Sequence, residues 1–87
     1  MARYKIEVKK SAAKEIARLP RKDMQAVLAR ISALAENPRS SDCKKLSAQD
    51  KYRVRCGDYR ILYSIQDDVL IICVVKVGHR KEIYRRL

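Results

Sequence analysis

A single histidine and three cysteines are the only imidazole and thiol ligands that this sequence offers a transition metal. One imidazole cannot build a histidine-based zinc site. Cys43, Cys56 and Cys73 form neither a CxxC pair nor any other metal-ligand spacing, and their number is odd. Cys56 and Cys73 sit inside strand-like patterns, where a thiol serves as a small hydrophobe. No metal and no cofactor is therefore expected. Also missing is any apolar run approaching the ~20 residues of a membrane-spanning helix. Residues 1–10 alternate charged and apolar side chains instead of opening with a signal sequence, so a cytoplasmic location is expected. No repeat or low-complexity tract is visible. With only two prolines and two glycines in the chain, Pro20, Pro38, Gly57 and Gly78 act as its punctuation.

What is abundant is positive charge. Lysine and arginine number 21 against 10 acidic residues, for a net charge of +11 and a pI of about 10.0. Such a chain attracts phosphate backbones or an acidic protein. Its 87 residues suit one domain, residues 1–87, and at 47% hydrophobic content a core forms without disulfides.

Residues 3–9 alternate, with Tyr4, Ile6 and Val8 opposed to Lys5, Glu7 and Lys9, which reads as a half-buried strand. Ser11 is placed to cap a short helix reaching Leu19, with Ala12, Ala13, Ile16 and Leu19 as its inner stripe. Pro20 ends it. Met24, Val27, Leu28, Ile31, Leu34 and Ala35 then recur at helical spacing until Asn37-Pro38 stops the pattern. Residues 37–50 read as a polar surface loop pinned by Leu46. Alternation returns at 52–56 and 59–66, separated by Gly57-Asp58, a two-residue hairpin signal with glycine first, as a type II′ turn requires. Asp67-Asp68 turns the chain into a nearly continuous apolar run from Val69 to Val77, the pattern of a central strand. Gly78 is expected to break it. The result is an α+β fold: an N-terminal strand, an α-helical hairpin and a three-stranded antiparallel meander, in one sheet with the helices on one face and the other open.

The hairpin register places the charges. With Gly57 and Asp58 as the loop, Cys56 pairs with Tyr59, Arg55 with Arg60, and Arg53 lies opposite Leu62. Like charges directly across a strand pair repel, and an anion between them gives the arrangement a reason. Lys51, Arg53, Arg55 and Arg60 should project from the face opposite the helices, where planar guanidinium forks suit phosphate oxygens. The segment after Gly78 is expected to bring Arg80, His79 and Tyr84 towards the same concavity.

The run Tyr52-Arg53-Val54-Arg55-Cys56-Gly57-Asp58-Tyr59-Arg60-Ile61-Leu62-Tyr63, followed by Val77-Gly78-His79-Arg80 and Ile83-Tyr84, resembles the RelE branch of the RelE/ParE toxin superfamily. The likeness includes the opening strand, the helical hairpin and the Asn37-Pro38-Arg39 stop. The resemblance implies a cytoplasmic toxin of a toxin–antitoxin pair that cuts mRNA in the ribosomal A site, among 16S and 23S rRNA, and is monomeric when free. It also implies an acidic RelB-like antitoxin. Family members carry basic residues at the positions of Arg53 and Arg55, arginines at Arg60 and Arg80, and a tyrosine at Tyr84. The RelE type member has lysines where Arg53 and Arg55 stand, and an arginine is a poor proton acceptor, so a base role does not transfer to them.

The chemistry implied is attack of the 2′-OH on its neighbouring phosphorus, leaving a 2′,3′-cyclic phosphate and a free 5′-OH. It needs a proton acceptor, stabilisation of the phosphorane, and a proton for the leaving oxygen. Arg60 and Arg80 suit the phosphorane charge, with Lys51, Arg53 and Arg55 on the RNA backbone. Tyr84 is a candidate base whose hydroxyl nearby cations would make more acidic, or a platform for base stacking. His79 is the alternative proton-transfer group. Two rival readings share the charge pattern: a ParE-like inhibitor of DNA gyrase without nuclease activity, and an RNA-binding module whose arginines only position the backbone.

Overall fold

In a computed structural model of the chain, which describes residues 3–46 and 51–81, two helices cover one face of a five-stranded sheet. The elements in chain order are β1 (Lys5–Val8), α1 (Lys10–Ala17), α2 (Arg21–Leu34), β2 (Lys44–Lys45), β3 (Tyr52–Cys56), β4 (Tyr59–Gln66) and β5 (Ile71–His79). The spatial order is β1-β5-β4-β3-β2. The meander β3–β4–β5 is antiparallel as expected. β1 joins it on the far side of β5 in parallel, Lys5 opposite Ile71 and Val8 opposite Val74, so the sheet is mixed. β5, flanked by β1 and β4, is an interior strand, paired on both sides as its apolar run implies.

The core lies between sheet and helices. Ala12 and Ile16 of α1 and Val27, Ile31 and Leu34 of α2 meet Val54, Ile61, Tyr63, Ile72, Val74 and Val77. α1 packs on β5, and α2 on β3 and β4. Helical periodicity identifies this stripe except at two positions: Ala13 is exposed and Leu28 is 46% exposed. The Tyr63 hydroxyl, at full burial, donates to the Pro38 carbonyl at 2.7 Å and anchors the loop after α2.

Several local expectations are corrected. α1 begins at Lys10, with Lys9 at the cap position and no side-chain cap, so Ser11 does not cap it. The Lys9 N–H bonds the Val74 carbonyl, and this sheet contact fixes where the helix starts. The supposed loop 37–50 contains β2, which pairs with Tyr52 and Arg53 of β3. β5 starts later than expected, at Ile71, because the turn runs from Asp67 to Leu70. Leu70 adopts a left-handed φ of 55° while its carbonyl accepts from Lys5 N–H at 2.8 Å. The strand also runs through Gly78, which pairs with Arg60, so this glycine does not end it. Between Tyr63–Val74 and Leu62–Lys76 one residue, Val75, is extra. That bulge changes the phase of β5, and the apolar run hides it.

The face away from the helices is not bare sheet. Leu62 lies there, between Arg53 and Lys76 in register, and is fully buried. Long cationic side chains beside an apolar one can cover it with their stems, and the Lys76 ammonium pairs with Glu15 of α1 at 3.1 Å.

Candidate functional site

The β3–β4 hairpin adopts the register that its sequence dictates. Gly57 has a φ of +59°, and it is followed by Asp58, which has no positive φ, as the first and second positions of a type II′ turn require. A Cβ on Gly57 would meet nothing within 4 Å, so glycine is needed there for its backbone angle and not for space. With the turn so fixed, Cys56 pairs with Tyr59, Arg55 with Arg60 and Arg53 with Leu62.

Arg53, Arg55 and Arg60 consequently line one cleft of about 570 Å³, together with Asp42, Lys44 and Gly57. Arg60 is steadied by a 3.3 Å bond from Nη1 to the Tyr59 carbonyl. Lys44 arrives by pairing with Arg53 across β2 and β3. Asp42 is fixed by the Ser40 hydroxyl and by an ion pair with Arg30 of α2. Neither Lys44 nor Asp42 is foreseen by the sequence pattern, which shows residues 37–50 only as polar loop. The cleft thus gathers convergent donors of one sign with a single carboxylate at its lining, an arrangement suited to a polyanion.

The remaining candidates are placed as follows. Arg80 follows β5, and its N–H donates to the Asp58 carbonyl at 2.8 Å, which ties its backbone to the turn beside the cleft. Its side chain is exposed and does not line the cleft. Lys51 precedes β3, where its carbonyl accepts from Leu46 N–H, and it too lies outside the lining. His79 pairs with Tyr59 at the end of the sheet, and its ring meets the Tyr59 ring edge-on at 5.9 Å. It lines a second cleft of about 350 Å³ with Asp23, Ala26, Cys56 and Tyr59, on the helix side. The continuation of β5 through Gly78 explains this: strand alternation carries His79 to the face opposite Arg60, away from the concavity where the sequence reading put it. Its Nδ1 accepts the Lys81 N–H at 3.2 Å. Tyr84 lies outside the described residues.

Two other features shape the surroundings. In the second cleft, burial and then Asp23, which accepts the Tyr59 hydroxyl at 3.3 Å, push the Tyr59 pKa up. Burial likewise raises the Cys56 thiol. Elsewhere, Arg39 clamps Asp67 with bonds of 3.0 and 2.8 Å, and Tyr4 donates to the same carboxylate at 2.6 Å. The Arg39 guanidinium also lies 5.5 Å from the Tyr52 ring centroid, and Tyr52 stacks on Tyr63 at 5.8 Å. This network joins the start of β1, the loop after α2 and the β4–β5 turn. It holds the sheet in register and takes no part in the cationic cleft.

Comparison with known proteins agrees with this fold. Residues 6–84 match the family model described as ParE toxin of type II toxin-antitoxin system, parDE. A protein of Escherichia coli named as RelE-like toxin is 30% identical over 81 residues, covering 91% of this chain and 85% of that protein. Among solved structures, the RelBE2 toxin–antitoxin complex of Mycobacterium tuberculosis superposes with a TM-score of 0.83 at 26% identity, covering 92% of this chain and 94% of that one. The archaeal RelE–RelB complex of Pyrococcus horikoshii OT3 gives 0.78 at 29% identity, with 92% and 97% covered. With its helices on one face of the sheet and Arg53, Arg55 and Arg60 gathered on the other, the chain belongs to the ParE-toxin family and is a toxin of the RelE/ParE superfamily.

Proposed function

We propose that this toxin is a ribosome-dependent endoribonuclease that cuts mRNA in the A site by 2′-OH attack, and so inhibits translation. The observation that carries the reading is the Arg55–Arg60 pair, two guanidinium-bearing residues directly opposed across β3 and β4 on the lining of one cleft. A phosphate seated there would turn a repulsive contact into a bridged one, because each guanidinium offers a planar fork of donors to its oxygens. Arg60 would stabilise charge on the phosphorane. Arg80, tethered by its backbone beside the turn, would reach it from the other side. Arg53, Arg55 and Lys51 would hold the backbone. Tyr84 is the proposed base, since His79 stands on the helix face.

No water nucleophile is required, because the substrate supplies its own hydroxyl. The ribosome would supply orientation, a contribution worth several kcal/mol in well-aligned systems, about 7–11 at most. An acidic RelB-like antitoxin would silence the toxin by covering the cationic face. The toxin–antitoxin complexes among the structural neighbours support that partnership.

The test is to map 5′ ends of transcripts in a translating extract with wild-type protein, Arg60→Ala and Arg80→Ala. Either substitution should lower cleavage by at least about 100-fold, the loss typical of removing one charge-stabilising donor, with the fold intact by circular dichroism. Unchanged cleavage in both variants would refute the assignment. The ParE-like reading, favoured by the name of the matching family model, predicts instead inhibition of gyrase supercoiling and no new 5′ ends.

A further inference from the structure

The cationic cleft contains a carboxylate that phosphate binding does not explain. Asp42 lines it among Lys44, Arg53, Arg55 and Arg60. An acidic group in that position weakens the pull on any phosphate. It is nevertheless held in place. One carboxylate oxygen accepts the Ser40 hydroxyl at 2.6 Å, the other accepts the Arg30 guanidinium, and Arg30 also reaches the Ser40 hydroxyl at 3.4 Å. The Ser40 bond first, and Arg30 second, push the Asp42 pKa below its ordinary value, so the group stays ionised near neutral pH.

An ionised carboxylate has about four acceptor sites, and these two bonds occupy one on each oxygen. With the side chain 53% exposed, the unused sites are open to a ligand. The lysine and arginines around it are donors only. Their contacts to phosphate oxygens carry no sequence information, whereas specificity comes from contacts to base edges. A fixed acceptor amid donors is the complement of a base edge that bears an amino group.

We infer that Asp42 is a specificity-determining residue of the cleft, accepting a hydrogen bond from the exocyclic amine of a nucleobase and so favouring cytosine, adenine or guanine over uracil. Uracil offers N3–H flanked by two carbonyl oxygens, which a carboxylate repels. The inference rests on the reading of this cleft as an RNA site, and it adds base selection to it. A carboxylate that merely tied the loop to α2 through Arg30 would alter stability without altering which base is preferred.

The experiment measures binding of labelled oligo(C), oligo(A) and oligo(U) to the full chain by fluorescence anisotropy over a range of salt. Wild type, Asp42→Asn and Asp42→Ala are compared. The wild type should bind oligo(C) and oligo(A) about tenfold more tightly than oligo(U), within the range for one base-edge contact. Asp42→Ala should abolish the preference by strengthening oligo(U) binding relative to the others, with the salt slope retained because the phosphate contacts remain. Should Asp42→Ala fail to fold, Asp42→Asn decides: its amide oxygen can still accept from Arg30 or Ser40, while its new donors suit uracil O4, and the preference should shrink or reverse. Equal wild-type affinity for oligo(C) and oligo(U), or a preference that survives in Asp42→Asn, would overturn the inference and leave the RNA site standing. Binding to none of the three would overturn the RNA reading itself, and the inference with it.

Discussion

Arg55 and Arg60 face one another across β3 and β4, so neutralising one of them should make the free toxin more stable. Like charges directly opposed on an antiparallel pair destabilise by about 0.2–1 kcal/mol. Arg55 is exposed and Arg60 half-buried, so water screens the pair, and about 0.5 kcal/mol is the expected repulsion. In a domain of this size 1 kcal/mol corresponds to roughly 4–8 °C in Tm. Arg55→Gln should therefore raise Tm by about 2–4 °C. Removing any cation from a chain of net charge +11 also relieves general self-repulsion, which must be separated from the pair itself. A double-mutant cycle of Arg55→Gln, Arg60→Gln and the double variant isolates the local contribution. Thermal unfolding by circular dichroism in low salt should give a coupling of about 0.5 kcal/mol, half the upper bound for such pairs. Near 1 M salt, where the Debye length is about 3 Å, the coupling should largely disappear. Inorganic phosphate at matched ionic strength should stabilise the wild type more than either single variant, since only the wild type offers both forks. A loss of stability in Arg55→Gln, or no coupling in low salt, would mean that the two guanidinium groups diverge. The case for a shared anion site would then fail.

Two further perturbations probe the frame around the cleft. Tyr63→Phe deletes the buried hydroxyl that donates to the Pro38 carbonyl. Leaving that acceptor unpaired should cost about 1–3 kcal/mol, read as a lower urea midpoint with unchanged m-value; an unchanged midpoint would show the bond to be dispensable. At Asp67, the Arg39 hydrogen bonds and then the Tyr4 bond lower the pKa from 3.8 to about 2. A value depressed in the folded state stabilises above the unfolded pKa, and the contribution is lost as pH falls from 3.8 towards 2. NMR titration of the Asp67 carboxyl should show the low midpoint, and Asp67→Asn should flatten the acid limb of stability; a midpoint near 3.8 would mean that the clamp is not formed in solution.

The elements legible in the sequence are those whose signals are local. β3 and β4 have the expected boundaries, since strict alternation and a glycine-first turn leave no other register. The stripe of α2 is found by its period, and Leu28 departs from it because the helix turns that position to solvent. What the sequence hides depends on distant partners. Lys44 and Lys45 become strand only because the edge of β3 offers them a ladder, and two exposed lysines carry no alternation. Asp67 reads as a turn residue, and its partners Arg39 and Tyr4 lie 28 and 63 positions away. His79 is misplaced for a subtler reason. A strand ended at Gly78 loses the phase of alternation, and the phase decides on which side of the sheet an imidazole stands.

The cleft combines both kinds of information, and that division bears on how such a site can vary. Its arginines come from a hairpin whose register is locked by two turn residues, so the proposed phosphate binding would be a property of one short stretch of chain. Its carboxylate and its lysine come from the loop that ends in β2, which reaches the cleft only by docking on β3 and by the bridge to Arg30 of α2. Substitutions in that loop can change what lines the cleft without moving the opposed arginines. On the proposed reading, a toxin built this way would keep the sequence-independent part of RNA binding in the hairpin and its discrimination in the adjoining loop. Exchanging residues 40–44 between relatives should then transfer base preference and leave the salt dependence of binding where it was.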